Sequence, residues 1–290
     1  MKNIFLKSAL VFTALVSGFT YAQEKTYSLS LSNPMEPAIL DIEVHTGSVT
    51  VVGYDGKTIE ITANVSPVKD NPLTKQQKKI KKQINRKMSQ HQSSQTRSTE
   101  GLKVVKSSML HLEIEEENNE VEITSETMNQ HVDLVIKVPS KSSVSIELYQ
   151  GGGIEIDNVH GELELESYQG GVNAKNVSGP IVAETYTQDI VIAFSDFNNN
   201  TPTSLTSHAG NIDISLASKI KANVNVQTFQ GEIFSGLTTD FVASDEVQQK
   251  NKGDKQKVVI GGIMQAKVNG GGQDLSLITY MGNLYIRQAK

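Results

Sequence analysis

Tyr149-Gln150-Gly151-Gly152-Gly153-Ile154-Glu155-Ile156 is followed by Tyr168-Gln169-Gly170-Gly171-Val172-Asn173-Ala174. Tyr186-Thr187-Gln188-Asp189-Ile190-Val191-Ile192 and His208-Ala209-Gly210-Asn211-Ile212-Asp213-Ile214 complete the series, with starts 19, 18 and 22 residues apart. Each unit is an aromatic residue, a corner that is usually glycine, and a short alternating strand. Self-similarity at this period is the signature of stacked repeats, in which one unit cannot bury its own apolar face and leans on its neighbours.

Working outward, the strand before each corner alternates with a period of two, as a half-buried strand does. Its inward positions are Val144, Ile146, Leu148; Leu163, Leu165, Ser167; Ile181, Ala183, Thr185; Leu205, Ser207; Val224, Val226, Thr228; and Leu275, Leu277, Thr279. A second corner recurs 18 residues apart as Asn158-Val159-His160-Gly161 and Asn176-Val177-Ser178-Gly179. Val44-His45-Thr46-Gly47-Ser48-Val49 repeats the frame near the N-terminus, so residues 23–290 read as one β-repeat domain. The expected fold is all-β, a β-solenoid or rolled β-helix of stacked 18–22-residue repeats. An antiparallel β-sandwich is the alternative.

Composition bounds the rest. A formal net charge of −5 implies no partner by itself, and nothing points to nucleic acid. Cysteine is absent, which excludes disulfides and thiolate sites. Residues 1–22 carry Lys2 and Lys7, an apolar run over 9–19, and a small residue, Ala22, at the end, which reads as a signal peptide. Export to the periplasm, cell surface or medium follows.

Two segments break the pattern. Residues 67–99 hold nine basic residues against Asp70, leaving about −15 on the remainder of the processed chain. Ile80, Ile84 and Met88 fall at helical spacing ahead of a Ser/Gln-rich stretch, so this insertion reads as partly helical or disordered. Lys75, Lys78, Lys79, Lys81, Lys82, Arg86 and Lys87 are its candidate contacts to an anionic membrane surface or glycan, or to the acidic body of the chain itself. Residues 244–257 read as a polar loop.

His45, Tyr149, Tyr168, Tyr186, His208, Phe229 and Tyr280 each precede a corner. Counting by twos from the inward residues puts all seven on the outer face, where stacked repeats align them into an exposed stripe. Such a stripe either shields the corner or forms a binding platform for sugar or an aromatic-rich partner. Catalysis finds little to work with. Asp157, Asp189, Asp196, Asp213, His160 and His208 fall at corners or outward positions, six histidines show no paired ligand spacing, and no nucleophile elbow occurs. Glu113, Glu115, Glu120 and Glu122 alternate on strands rather than on a calcium-binding loop. No cofactor, metal or enzyme activity is expected.

Val138-Pro139 leading into alternating strands, the Thr-x-x-Gly-x-Ile-x-Ile frame, Asn269-Gly270-Gly271-Gly272-Gln273-Asp274-Leu275-Ser276-Leu277 and the closing Gly282-Asn283-Leu284-Tyr285-Ile286 resemble a bacterial family. It is the putative-adhesin, β-strand-repeat family of envelope proteins, a domain of unknown function. The resemblance runs over 40–286 apart from the two interruptions. It implies a repetitive β fold, envelope association and an adhesin-like scaffold presenting an extended surface to a glycan, matrix or envelope partner. Some similar proteins take part in envelope-stress signalling, so a periplasmic regulatory component is the alternative, with a polysaccharide-active enzyme behind it. The resemblance brings no catalytic residues, and the basic insertion departs from it.

Overall fold

A computed structural model describes residues 23–67, 111–128, 130–197, 201–243, 247–252, 255–260 and 262–289. The proposed signal peptide and the candidate contacts from Lys75 to Lys87 lie outside the described residues. Every element described is a strand. β1 (Gln23–Ser30), β2 (Ile39–Tyr54) and β3 (Thr58–Pro67) precede the insertion, and β4 (Glu113–Glu117), β5 (Glu120–Ser125) and β6 (Gln130–Pro139) follow it. The repeats supply β7 (Ser143–Asp157), β8 (Leu163–Ser167), β9 (Val172–Val177), β10 (Ile181–Thr185), β11 (Ile190–Phe194), β12 (Thr203–Ser207) and β13 (Ile212–Leu216). Next come β14 (Ala222–Thr228), β15 (Ile233–Ser235), β16 (Val242–Ala243), β17 (Val247–Lys252), β18 (Lys255–Ile260), β19 (Met264–Val268), β20 (Gln273–Thr279) and β21 (Leu284–Gln288).

The strands before the corners form one parallel ladder, and those after them form another. In the first, β5, the start of β2, the start of β7, β8, β10, β12, β20 and β14 pair in that order. In the second, β6, the end of β2, the end of β7, β9, β11, β13, β21 and β15 do the same. Antiparallel partners sit only at the ends: β4 on β5, β19 and β16 beyond β14, and β3 and β1 beyond β6. The sheet does not close on itself. Parallel pairing from repeat to repeat departs from the antiparallel hairpins of a sandwich.

Each predicted inward residue from Val144 to Thr185 is buried, and Ile154, Ile156, Val172, Ile190, Ile192, Ile212, Ile214, Leu284 and Ile286 of the second ladder join the aliphatic ones in one cluster. Parallel sheets usually have both faces covered and read as solid apolar runs. Here the strands alternate, so the inner faces of the two ladders share one core and the outer faces stay in water.

Close rung-to-rung approach fixes the corner residues. A Cβ at Gly151, whose φ is +139°, would lie 1.8 Å from the carbonyl oxygen of Gly47 on the adjacent rung. Asn158 and Asn176, at φ of 59° and 55°, take the left-handed conformation at the second corner, which asparagine tolerates.

The rungs do not stack in chain order. The rung β20–β21 lies between β12–β13 and β14–β15, and β2 lies between β5–β6 and β7. β14 carries β19 along its other side, which covers an otherwise exposed strand edge. The polar segment 244–257 is not simply a loop, since most of it belongs to the antiparallel hairpin β17–β18.

Candidate functional site

The seven residues before the corners form one continuous column. His45 stacks on Tyr149 with ring centroids 5.2 Å apart, Tyr149 on Tyr168 at 5.2 Å, and Tyr168 on Tyr186 at 4.7 Å. Tyr186 stacks on His208 at 4.6 Å, His208 on Tyr280 at 5.1 Å, and Tyr280 on Phe229 at 5.1 Å. From Tyr149 to Phe229 the rings lie within 12° of parallel, and the His45–Tyr149 angle is 29°. Tyr280 precedes Phe229 because β20 is inserted before β14. The rings are half-buried over most of the column, and Phe229 at its end is 59% exposed.

This geometry sets what the column can do. Each interior ring spends both faces on its neighbours, so a sugar cannot lie flat against Tyr149, Tyr168 or Tyr186. Among the described residues, only the two end rings, His45 and Phe229, stack on one side alone. Elsewhere the column shows ring edges and phenol groups.

Two further columns flank it, one of glutamates outside and one of the inward-facing hydroxyls inside. Outside it, Glu43, Glu147, Glu166 and Glu184 stand directly opposite one another on adjacent parallel strands. Hydrogen bonding to Glu147, with burial and the charges of Glu147 and Glu43 behind it, pushes the Tyr149 phenol up to about 12. Glu166 does the same for Tyr168, also to about 12. Tyr186 is raised first by burial and then by the charge of Glu184. The Nε2 of His208 lies 2.8 Å from Glu184. Glutamate two residues before the aromatic was the available signal: Glu43-x-His45, Glu147-x-Tyr149, Glu166-x-Tyr168, Glu184-x-Tyr186.

Inside the corners runs a column of buried hydroxyls. Ser167 accepts from the Gly170 amide at 3.1 Å, Ser207 from Gly210 at 2.9 Å, and Thr279 from Gly282 at 3.1 Å. Thr279 also donates to the Gly210 carbonyl on the next rung, and Thr185 donates to Ser207. These hydroxyls satisfy corner backbone groups that would otherwise be buried unpaired, and so hold the rings in register.

The carboxylates weighed for catalysis stay apart, each in its own pairing. Asp157 meets Lys175 and Asn176, Asp189 accepts from Asn211, and Asp213 is bridged by Arg287. Lys219 and the Phe197 amide hold the Asp196 carboxyl below its ordinary range. His160 shares a hydrogen bond with Ser178 at the second corner. Glu115, Glu120 and Glu122 project outward beside Asp41 around a groove of about 430 Å³. No group of three or more His, Cys, Asp or Glu among the described residues could hold a metal ion.

No protein-family model and no curated protein matches the chain. Among solved structures it is similar to a protein from Clostridium sporogenes described as a putative cell adhesion protein. That match has 14% identity and a TM-score of 0.49, and covers 93% of this chain and 100% of that one. It is also similar to a putative adhesin from Bacteroides fragilis, at 10% identity and a TM-score of 0.35, covering 92% of this chain and 97% of that one. The fold rests on the strand registers of the chain itself.

Proposed function

We propose that this chain is an exported, non-catalytic, adhesin-like scaffold. Its two ladders are the walls of a rolled β structure, and its ring column and flanking glutamates are the surface offered to a glycan, matrix or cell-envelope partner. The observation that carries this reading is the unbroken column of seven rings along the outer side of the corner. Inner residues account for the fold without it, and aromatic side chains offer large, rigid contact area at low entropic cost. Export is supported by the charged and apolar character of residues 1–22. No cofactor enters the reading.

The test removes the middle of the column. Tyr149→Ser, Tyr168→Ser and Tyr186→Ser together should reduce binding of the purified protein to isolated cell envelopes or arrayed glycans at least tenfold, with the far-ultraviolet circular dichroism of the sheet retained. A Tyr→Phe triple variant keeps the stack and removes only the hydroxyls, so it separates loss of surface from loss of fold. Undiminished binding by the folded serine variant would overturn the reading.

A further inference from the structure

Three tyrosines follow one another in the ring column, and no other described tyrosine stacks on a tyrosine. Tyr168 lies between Tyr149, at 5.2 Å and 12°, and Tyr186, at 4.7 Å and 2°. Tyr280 meets His208 and Phe229 instead, and Tyr285 meets Phe234. Main-chain hydrogen bonds fasten the rungs right beside these rings. The Tyr168 amide donates to the Leu148 carbonyl at 3.0 Å, and the Tyr186 amide to the Ser167 carbonyl at 3.2 Å. Each phenol also has a proton acceptor at hand. Glu147 hydrogen-bonds Tyr149, Glu166 hydrogen-bonds Tyr168, and both Glu184 and Glu166 reach Tyr186. A phenol gives up an electron more readily when a neighbouring carboxylate takes its proton in the same step.

We propose that Tyr168 and Tyr186 form an oxidative modification site, at which a one-electron oxidant driven by hydrogen peroxide couples the two rings into dityrosine. Each phenol loses an electron to the oxidant and its hydroxyl proton to Glu166 or Glu184. The two phenoxyl radicals then join through a new bond between carbons ortho to the oxygens. Each ring sheds the hydrogen of its bonded carbon as a proton and recovers a proton on oxygen, which restores both phenols. In sum, two tyrosines and one hydrogen peroxide give one dityrosine and two waters. Tyr186 is favoured over Tyr149 as the partner of Tyr168 because its ring is nearer and more nearly parallel. The bond closes an 18-residue loop between the neighbouring strands β8 and β10. It fastens two rungs as a disulfide would, in a chain that has no cysteine. Exposure alone would choose other rings, since Tyr280 is 43% exposed and Tyr27 39%, whereas Tyr168 and Tyr186 are half-buried. This chemistry needs no binding partner at the column.

The experiment treats the folded full chain, at high dilution, with hydrogen peroxide and a haem peroxidase. A parallel arm uses a photogenerated ruthenium(III) complex with persulfate, small enough to reach half-buried rings. The expected result is dityrosine fluorescence from uncrosslinked-between-chains, monomeric protein. Mass spectrometry should find a peptide pair, lighter by two hydrogen atoms, that joins Tyr168 to Tyr186. Tyr168→Phe keeps the ring stack and should abolish this product, whereas Tyr280→Phe should leave it unchanged. Glu166→Gln with Glu184→Gln should slow the coupling at neutral pH without moving its position. The coupled protein should unfold at a higher urea concentration than the untreated one. In the unfolded chain the preference for this pair should vanish. Coupling mainly through Tyr280 or Tyr27, bonds only between separate chains, or an unchanged rate in the glutamine variant each overturns the proposal. Absence of the Tyr168–Tyr186 bond with both oxidants overturns it as well.

Discussion

The outer faces of the two ladders are built on the same frame and treat charge in opposite ways. On the second, Lys137 pairs with Glu60, Lys175 with Asp157, and Arg287 forks onto Asp213 while lying 5.5 Å over the Tyr285 ring. On the first, four glutamates follow one another across adjacent strands, and among the basic side chains described only His208 reaches one of them. Inward, both ladders carry the same repeating aliphatic columns. The fold is thus specified from inside and the surface chemistry from outside, and the two vary independently along one chain.

The largest effect should come from breaking what the faces share. Leu165→Ala in the first ladder and Ile192→Ala in the second should each cost about 2–5 kcal/mol in urea unfolding, because both sides fill one core. A change that melts one ladder's signal while sparing the other would show two cores. A smaller effect sharpens the difference outside. Asp213→Asn should destabilise slightly through loss of its arginine partner. Glu166→Gln should be neutral or stabilising by a few tenths of a kcal/mol, since it removes a like-charge neighbour. The two shifts have opposite signs, and thermal melts at low salt would resolve them.

The smallest effect is in the titration. Tyr149 and Tyr168 hold their protons up to about 12, above the ordinary phenol value near 10. The folded state binds these protons more tightly, so the contribution is fully present below about pH 10 and is lost as pH rises through about 12. Phenolate absorbance should show a late-titrating fraction that moves to lower pH in Glu147→Gln and Glu166→Gln. An unchanged titration would remove the glutamates as its cause.

Much of this was legible in the chain. Period-two alternation assigned the inward residues, the glycines and asparagines marked the corners, and counting by twos aligned all seven rings. Rung order was not legible, because rungs with nearly the same aliphatic columns are interchangeable by pattern. Only strand pairing says that Thr203 faces Leu275 and that Ala222 faces Gln273. The glutamate column was visible but was passed over as outward polarity, since a period-two strand must put something polar outside. The hairpin β17–β18 was hidden by its lysines and glutamines, although Gly253-Asp254 between the two strands is a turn signal.

The place of β20–β21 has a consequence for how the protein is made. The stretch from Gln273 to Gln288 is translated after every other rung described, yet it fills an interior position with neighbours on both sides. Until it arrives, β12–β13 and β14–β15 lack the strands that join them, and each keeps an open backbone edge. A nascent or truncated polypeptide ending before Gln273 would therefore expose sticky hydrogen-bonding groups to proteases and to other chains. Arrival of β20–β21 works as a latch that joins the two parts of the scaffold.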